Sequence, residues 1–235
     1  MLWFNRTGVT CFAQKQTKTG ANAHYVIENG MLKLRIDERL PARPEKEDGC
    51  VSSVQTSDFR FGATVQEYQI LDKFVQKYGR FEIRCRMPSG DGLRSVFKLL
   101  QHDPAAQEVT PDGKKISQGV VEINVIEQFG NKTEQQIIHC NVNMTDKGHF
   151  EHKMDFNPSK EFHVYALEWE EGKLRWYIDE KQIAEYTGET PQQKMFILLS
   201  LYQNDGEEGT GNTDPNMTYP RDFEIDYLRV YAKDK

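Results

Sequence analysis

Apolar and polar residues alternate with a period of two in several separate segments, and this alternation limits what the chain can fold into. It is clearest in M-L-K-L-R-I at residues 31–36 and recurs at residues 79–87, 121–126 and 225–231. A period of two places every second side chain on the same face of a β-strand, which is typical of half-buried sheets. No segment has the 3.6-residue period of a long amphipathic helix. We therefore expect an all-β protein.

Turn-forming residues separate the predicted strands, with glycine, proline, asparagine and aspartate concentrated at residues 42–49, 88–92, 111–119 and 204–216. Many short strands with such connectors are typical of two stacked antiparallel sheets. No repeat of about 20 to 50 residues is present, which argues against a propeller or a solenoid. We predict a jelly-roll sandwich of two antiparallel sheets with a concave cleft, formed by residues 1–235 as one domain.

Charge and hydropathy exclude several classes of protein. The chain has 36 acidic and 30 basic residues, scattered along its length, and a formal net charge of -6. A nucleic-acid-binding protein would instead show a basic patch. No apolar run is long enough to span a membrane, and the N-terminal stretch lacks the basic and apolar regions of a signal peptide. We expect a monomer with neither a nucleic-acid partner nor a membrane span.

The four cysteines are far apart in the sequence and form neither a C-x-x-C pair nor a metal-ligand cluster. Disulfide scaffolds are typical of much smaller secreted domains. We therefore predict buried free thiols at Cys11, Cys50, Cys85 and Cys140.

The segment at residues 79–87 predicts a strand with one apolar and one charged face. Phe81, Ile83, Cys85 and Met87 should face the core. The opposite face carries alternating arginine and glutamate residues, for which cross-strand ion pairing is the simpler interpretation than a ligand site.

An otherwise apolar strand at residues 121–128 carries Glu122, Asn124 and Glu127. Burying carboxylates is unfavourable, so their presence needs an explanation. With a period of two, Glu122 and Asn124 share a face, whereas Glu127 joins them only if one extra residue bulges the strand. Two carboxyl groups held about 5 to 5.5 Å apart fit a retaining glycosidase, although solvated edge residues are the better explanation of the spacing alone.

Five ordered blocks of the sequence resemble glycoside hydrolase family sixteen, the family of laminarinases, lichenases, agarases, porphyranases and carrageenases. The blocks are Y-G-R-F-E-I-R at residues 78–84, E-I-N-V-I-E at 122–127, F-H-V-Y-A-L-E-W at 162–169, L-R-W-Y-I-D at 174–179 and F-E-I-D-Y-L-R-V-Y at 223–231. The resemblance implies a retaining, endo-acting glycosidase of a β-linked polysaccharide. It makes Glu122 the nucleophile and Glu127 the general acid and later base, with no cofactor or metal in the chemistry.

Asn124 is the first departure from the family pattern, which places an aspartate between the two glutamates. A carboxylate raises the pKa of a neighbouring carboxyl group, whereas asparagine supplies hydrogen bonds without charge. We therefore predict lower activity or a more acidic pH optimum. This departure also leaves a second hypothesis open, a lectin-like carbohydrate-binding protein on the same fold with impaired catalysis.

Arg94 and Lys98 are the second departure, because they stand where the family's G-x-W-P-A-F-W-L strand has tryptophans. Aromatic faces grip neutral glucans, whereas arginine and lysine suit sulfate and carboxylate groups. The favoured substrate is therefore an anionic galactan or an anionic host glycan, and otherwise a β-glucan. The alternative is that both cations pair with Glu122 or Glu127, or face solvent.

The resemblance adds further expectations for single residues. Tyr202 and His139, the latter near Glu122, are candidate substrate contacts, although each fits a structural role equally well. Trp169 and Trp176 are expected to pack in the core. Many family members bind a structural calcium near the last strand, where Asp226 is the candidate ligand. A polymeric substrate implies a secreted, periplasmic or cell-surface location.

Overall fold

The computed structural model describes residues 4–5, 25–37, 49–57, 73–101, 121–132, 137–142, 148–204 and 210–232. Within these ranges, fourteen strands and a 3-10 turn at Gly130–Lys132 account for the regular structure. No helix in them is long and apolar enough to cross a membrane. The strands are β1 (Phe4–Asn5), β2 (Tyr25–Glu28), β3 (Met31–Ile36), β4 (Gly49–Gln55), β5 (Gly79–Arg86), β6 (Leu93–Gln101), β7 (Glu122–Phe129), β8 (Ile137–Val142), β9 (His149–Lys153), β10 (His163–Glu170), β11 (Lys173–Ile178), β12 (Lys181–Thr187), β13 (Met195–Asn204) and β14 (Arg221–Tyr231).

The strands form two seven-stranded antiparallel sheets, which confirms the predicted sandwich. The first sheet has the order β1-β4-β13-β6-β7-β8-β9, and the second has the order β12-β11-β10-β5-β14-β3-β2. Strands far apart in the sequence are neighbours in both sheets, as when β14 pairs with β3 and β5. Such non-local pairing is typical of jelly rolls rather than of simple meanders.

The core lies between the two sheets and is a single cluster of buried side chains drawn from both. On β5, the side chains of Phe81, Ile83 and Cys85 are fully buried, and Met87 follows them into the core, as the alternation predicts. Trp169 and Trp176 are also fully buried, which confirms their packing role.

The outer face of the second sheet carries the ion pairs that the sequence of β5 predicts. Arg84 Nη1 lies 2.6 Å from Asp226 Oδ2, and Arg86 Nε donates to Glu224 Oε2 at 2.6 Å. Arg80 pairs with Glu82 on its own strand at 3.2 Å. These partly exposed pairs fill the outer face with charges that neutralise one another.

The cysteine prediction is confirmed for Cys85 and Cys140, which are buried and not joined in a disulfide. Burial raises the pKa of both thiols well above the ordinary range, so they stay protonated and unreactive at neutral pH. The side chains of Cys11 and Cys50 lie outside the described residues, as do the predicted turns at residues 42–48 and 111–119. The predicted turn at residues 88–92 is present between β5 and β6.

Candidate active site

The outer face of the first sheet is built around β7, which lies between β6 and β8. Ile123, Val125 and Ile126 all belong to the buried core. In a regular strand, neighbours such as Val125 and Ile126 would point to opposite faces. Two adjacent core residues therefore mark a break in the alternation of β7.

The strand register shows that this break is the predicted bulge. Phe97 of β6 lies opposite Ile126, but the next β6 residue, Lys98, lies opposite Asn124, so Val125 has no partner. On the other side, the register to β8 also shifts between Asn124 and Glu127. One extra residue on β7 thus returns Glu127 to the outer face, where Glu122 and Asn124 already lie.

Two donors from the core side hold the carbonyl groups at the bulge. The indole Nε1 of Trp176, on β11 of the second sheet, donates to the backbone oxygen of Asn124 at 3.0 Å. The thiol of Cys140 donates to the backbone oxygen of Val125 at 3.4 Å. Buried backbone groups that leave a ladder need such partners, so Trp176 from the second sheet and Cys140 from the neighbouring strand β8 support the irregular part of β7.

Each glutamate on this face is paired with a cation from β6. Lys98 Nζ lies 2.9 Å from Glu122 Oε2, and Arg94 Nε lies 3.3 Å from Glu127 Oε1. The two carboxylate side chains are 23% and 14% exposed, so neither is a freely solvated surface group. This is the alternative stated for Arg94 and Lys98, in which the two cations pair with Glu127 and Glu122.

Tyr202 of β13 lies opposite Arg94 in the register of the sheet. The guanidinium carbon of Arg94 is 4.9 Å from the centre of the Tyr202 ring, a distance typical of a cation–π contact. Arg94 therefore touches both Glu127 and the only aromatic face that the sequence nominated for a sugar. The guanidinium therefore covers one face of the Tyr202 ring.

Asn124 lies at the centre of this face, opposite Lys98. It is only 4% exposed, and its side-chain oxygen has no hydrogen-bond partner among the described residues. A buried amide oxygen without a partner is unfavourable, so it is available to a ligand that offers a donor.

His139 of β8 lies opposite Glu127 rather than beside Glu122, its expected neighbour. It is 4% exposed and makes an edge contact with the ring of Phe129, 4.9 Å between ring centres. Burial, together with the charge of Lys132, lowers the pKa of His139 to about 4, so the ring is neutral at neutral pH.

Two side chains that the sequence did not nominate, His149 and Glu151 of β9, lie beside His139. The Oε1 atom of Glu151 is 3.5 Å from His139 Nδ1, and the ring of His149 is 5.7 Å from that of His139, centre to centre. The signal in the sequence was the H-x-E spacing of 149–151, which puts both side chains on one face of a strand.

Asp226, the candidate calcium ligand, lies on the second sheet, away from the face that carries the glutamates. Its Oδ2 atom accepts a hydrogen bond from Arg84 at 2.6 Å. A carboxylate has a second oxygen, so calcium binding by Asp226 stays a prediction.

These features define the class as a jelly-roll sandwich whose first sheet carries a bulged strand with two glutamates on its outer face. The chain belongs to the glycosyl hydrolases family 16, whose model matches residues 12–229. The resemblance found in the five sequence blocks is thereby confirmed.

Curated relatives match in sequence over about two thirds of the chain. The glucan endo-1,3-beta-glucosidase A1 of Niallia circulans is 28% identical over 182 residues, which are 69% of this chain and 25% of that protein. A beta-glucanase of Rhodothermus marinus is 25% identical over 173 residues, 66% of this chain and 57% of that protein. The chain thus spans between a quarter and about three fifths of the length of these relatives.

Solved structures match over nearly the whole chain and confirm the fold. The laminarinase catalytic domain from Thermotoga maritima superposes with a TM-score of 0.72 at 19% identity, covering 100% of this chain and 92% of that one. A GlcNAcα1-4Gal-releasing endo-β-galactosidase from Clostridium perfringens gives a TM-score of 0.73 at 24% identity, covering 97% of this chain and 58% of that one.

Proposed function

We propose that this chain is a retaining, endo-acting glycoside hydrolase of a β-linked polysaccharide, with Glu122 as nucleophile and Glu127 as general acid and base. The observation that carries the proposal is the bulge in β7, which brings both glutamates to one face of a family 16 chain. The names of the relatives agree with it, since they include a glucan endo-1,3-beta-glucosidase and an endo-β-galactosidase.

The reaction would proceed in two displacements. Glu122 attacks the anomeric carbon, and the bond to the leaving oxygen breaks as Glu127 gives that oxygen its proton. Glu127 then removes a proton from water, which attacks the same carbon, breaks the bond to Glu122 and restores the original configuration. The mechanism requires the two carboxyl groups to lie about 5 to 5.5 Å apart in the complex.

The cations on β6 must change partners when a sugar binds. Lys98 and Arg94 pair with Glu122 and Glu127. Displaced by the sugar ring, they become donors for substrate oxygens, and Tyr202 exposes its ring for stacking. The neutral ring of His139, opposite Glu127, can donate or accept a hydrogen bond at the same sugar.

The proposal is tested by incubating the protein with β-glucans, agars, porphyran, carrageenans and mucin glycans and measuring newly formed reducing ends. We expect release from at least one polymer, with β-configured product in the first NMR spectra. Glu127→Gln should lower the rate about 10²- to 10⁴-fold, and Glu122→Gln at least as much. Glu185→Gln, on the second sheet, is the matched control and should keep full activity. Equal activity in all three variants would exclude the assignment.

The substrate that we propose is an anionic glycan, a sulfated or acidic galactan or host glycan. The charge of this face supports the proposal. Arg94 and Lys98 balance the charges of Glu127 and Glu122, and Asn124 adds no third carboxylate. With tryptophans and an aspartate at these positions, the same face would carry three negative charges and repel a sulfate. A neutral β-glucan is the remaining candidate.

Paired polymers that differ only in sulfation test the substrate. We expect kcat/KM for the sulfated polymer to exceed that for its desulfated form. Lys98→Met keeps the length of the side chain and should reduce this preference, whereas Lys181→Met, on the exposed strand β12, should not. Equal turnover of the two polymers would remove the anionic assignment.

A lectin-like protein is the second candidate, favoured by Asn124 and by the pairing of both glutamates with cations. It predicts saturable glycan binding without any release of reducing ends from the panel. Slow release that disappears in Glu122→Gln would instead support the enzyme.

The proposed function also has consequences for the location, the oligomeric state and the metal content of the protein. Because the substrates are extracellular polymers, we place the protein outside the cell, secreted, periplasmic or on the cell surface, and acting as a monomer. The catalytic steps use no cofactor. A structural calcium with Asp226 as one ligand remains part of the proposal, and an unchanged melting temperature on adding calcium would count against it.

A further inference from the structure

We propose that His139, His149 and Glu151 form a binding site for a divalent transition-metal ion of the zinc class. The site lies on the outer face of the first sheet, one strand away from Glu127. It takes no part in the double displacement and does not depend on the proposed hydrolase activity.

The pairing of β8 with β9 brings the three side chains together. His139 lies directly opposite Glu151, and His149 lies opposite Asn141, two residues along. His149 and Glu151 are two residues apart on one strand, so they share the face of His139. Each of the three side chains offers one ligand atom, and these atoms all lie within 4.8 Å of one another.

The distances are close to those of a metal site. Zinc bonds of about 2.0 to 2.2 Å in a tetrahedron put neighbouring ligand atoms about 3.4 Å apart. His139 Nδ1 and Glu151 Oε1 are 3.5 Å apart, so one edge of the tetrahedron is already formed. The ligand atom of His149 lies within 4.8 Å of the other two, and the exposed side chains of His149 and Glu151 are not held in place by burial.

His139 is the rigid member of the group. It is 4% exposed and is fixed by the edge contact with Phe129. Its Nε2 atom is buried without a hydrogen-bond partner among the described residues. The nitrogen that faces Glu151 is Nδ1, so Nδ1 is the ligand atom and Nε2 would carry the ring proton when a metal is bound.

The ligand set indicates the class of ion. Two imidazole nitrogens and one carboxylate suit zinc and the neighbouring transition metals, whereas calcium and magnesium take oxygen ligands. Three protein ligands leave a fourth position open, as in zinc sites that bind water or substrate. Here the open position faces the same side as Glu127, where a glycan oxygen or water would occupy it.

The test uses the full chain after treatment with a chelator. We expect calorimetric titration to show one zinc ion bound per chain, and cobalt to give a visible absorption band of low-coordinate geometry. His149→Ala and Glu151→Gln should each weaken binding about tenfold or more. Both residues are exposed, so the variants should fold, and their melting temperatures will show whether they do.

His152→Ala is the matched control. It removes an imidazole from the same strand, but its register partner Ile138 is buried in the core, so its side chain points away from the site. This variant should bind zinc as the unchanged protein does. The proposal is overturned if zinc does not bind saturably, if calcium binds as tightly as zinc, or if His149→Ala and Glu151→Gln both keep the original affinity.

Discussion

Asn124 illustrates how one side chain sets the electrostatics of the site. Its amide lies between the two glutamates of β7 and opposite Lys98, where a carboxylate would add a negative charge. That charge would attract Lys98 away from Glu122 and favour the protonated form of neighbouring carboxyl groups.

We therefore expect Asn124→Asp to raise kcat/KM and to move the alkaline side of the pH–rate profile about one unit higher. The measurement is the rate against pH for both proteins. Gln182→Glu, which adds the same charge on the exposed strand β12, should leave the profile where it was. An unchanged or slower Asn124→Asp enzyme would show that position 124 does not tune the acid.

The contacts of single side chains were the part of the structure that the sequence predicted least well. The sequence of residues 122–127 predicted that Glu122 and Glu127 lie on one outer face of the strand, because burying carboxylates in an apolar strand is unfavourable. The pairing of Arg94 with Glu127 remained one of several alternatives, since it depends on side-chain conformations across strands. The H-x-E spacing places His149 and Glu151 on one face of a strand. Only the register of β9 against β8 shows that this face lies beside His139, and a local sequence pattern does not contain that register.

At the scale of elements, the bulge in β7 depends on an indole from the other sheet. Trp176→Phe would remove the donor to the backbone oxygen of Asn124 and leave that carbonyl buried without a partner. Trp169 is equally buried, but its Nε1 has no hydrogen-bond partner among the described residues. Trp169→Phe therefore removes similar volume without breaking a hydrogen bond.

We expect Trp176→Phe to be less stable than Trp169→Phe by about 1 to 3 kcal/mol, the free energy of an unsatisfied buried group. Only Trp176→Phe should also lower kcat, because the bulge positions Glu127. Urea unfolding and initial rates measure the two effects. Equal losses in both variants would mean that packing, and not the hydrogen bond, supports the strand.

The outer face of the second sheet predicts alkaline sensitivity. Partial burial and a hydrogen bond to Glu168 raise the pKa of Tyr177 to about 12, and the same causes, through Glu82, raise the pKa of Tyr227 to about 12. A tyrosine in the unfolded chain ionises near 10. The stabilisation is therefore complete below about pH 10 and is lost as the pH rises through about 12.

The double variant Tyr177→Phe, Tyr227→Phe should show a smaller fall in melting temperature between about pH 9 and about pH 11.5 than the unchanged protein. Tyr25→Phe is the control, because the Tyr25 hydroxyl makes no hydrogen bond within the described part of the chain. A fall of the same size in the double variant would contradict the assignment.

The elements themselves were largely readable from the sequence. Period-two alternation predicted the strand at residues 31–36 with the bounds that β3 has and β5 to within one residue, and it predicted the centres of β7 and β14. It underestimated the ends of β7 and β14, since β7 continues to Phe129 and β14 begins at Arg221. At those ends the pairing with neighbouring strands decides the structure, and the alternation is too short to show it.

At the scale of the whole molecule, one buried cluster joins the two sheets. It includes β7 residues from the first sheet and β5, β10 and β11 residues from the second. If one sheet unfolded, the buried side chains of the other sheet would be exposed to water. We therefore expect the two sheets to behave as one domain.

We expect a single cooperative unfolding transition. The near-ultraviolet signal of Trp169 and Trp176 and the far-ultraviolet signal of the strands should change at the same urea concentration. Two separate midpoints would show that the sheets unfold independently and that the single-domain prediction is wrong.

The position of Trp176 shows that substitutions on the interior side of β7 and substitutions on its solvent side can have separate effects. The indole approaches β7 from the interior, whereas Arg94, Lys98 and Tyr202 approach from the solvent side, on other strands. On the proposed function, new side chains on β6 or β13 would alter which glycan is admitted while the scaffold beneath β7 remains untouched. A protein engineer who wishes to retarget the chain should vary the solvent side and leave the interior alone.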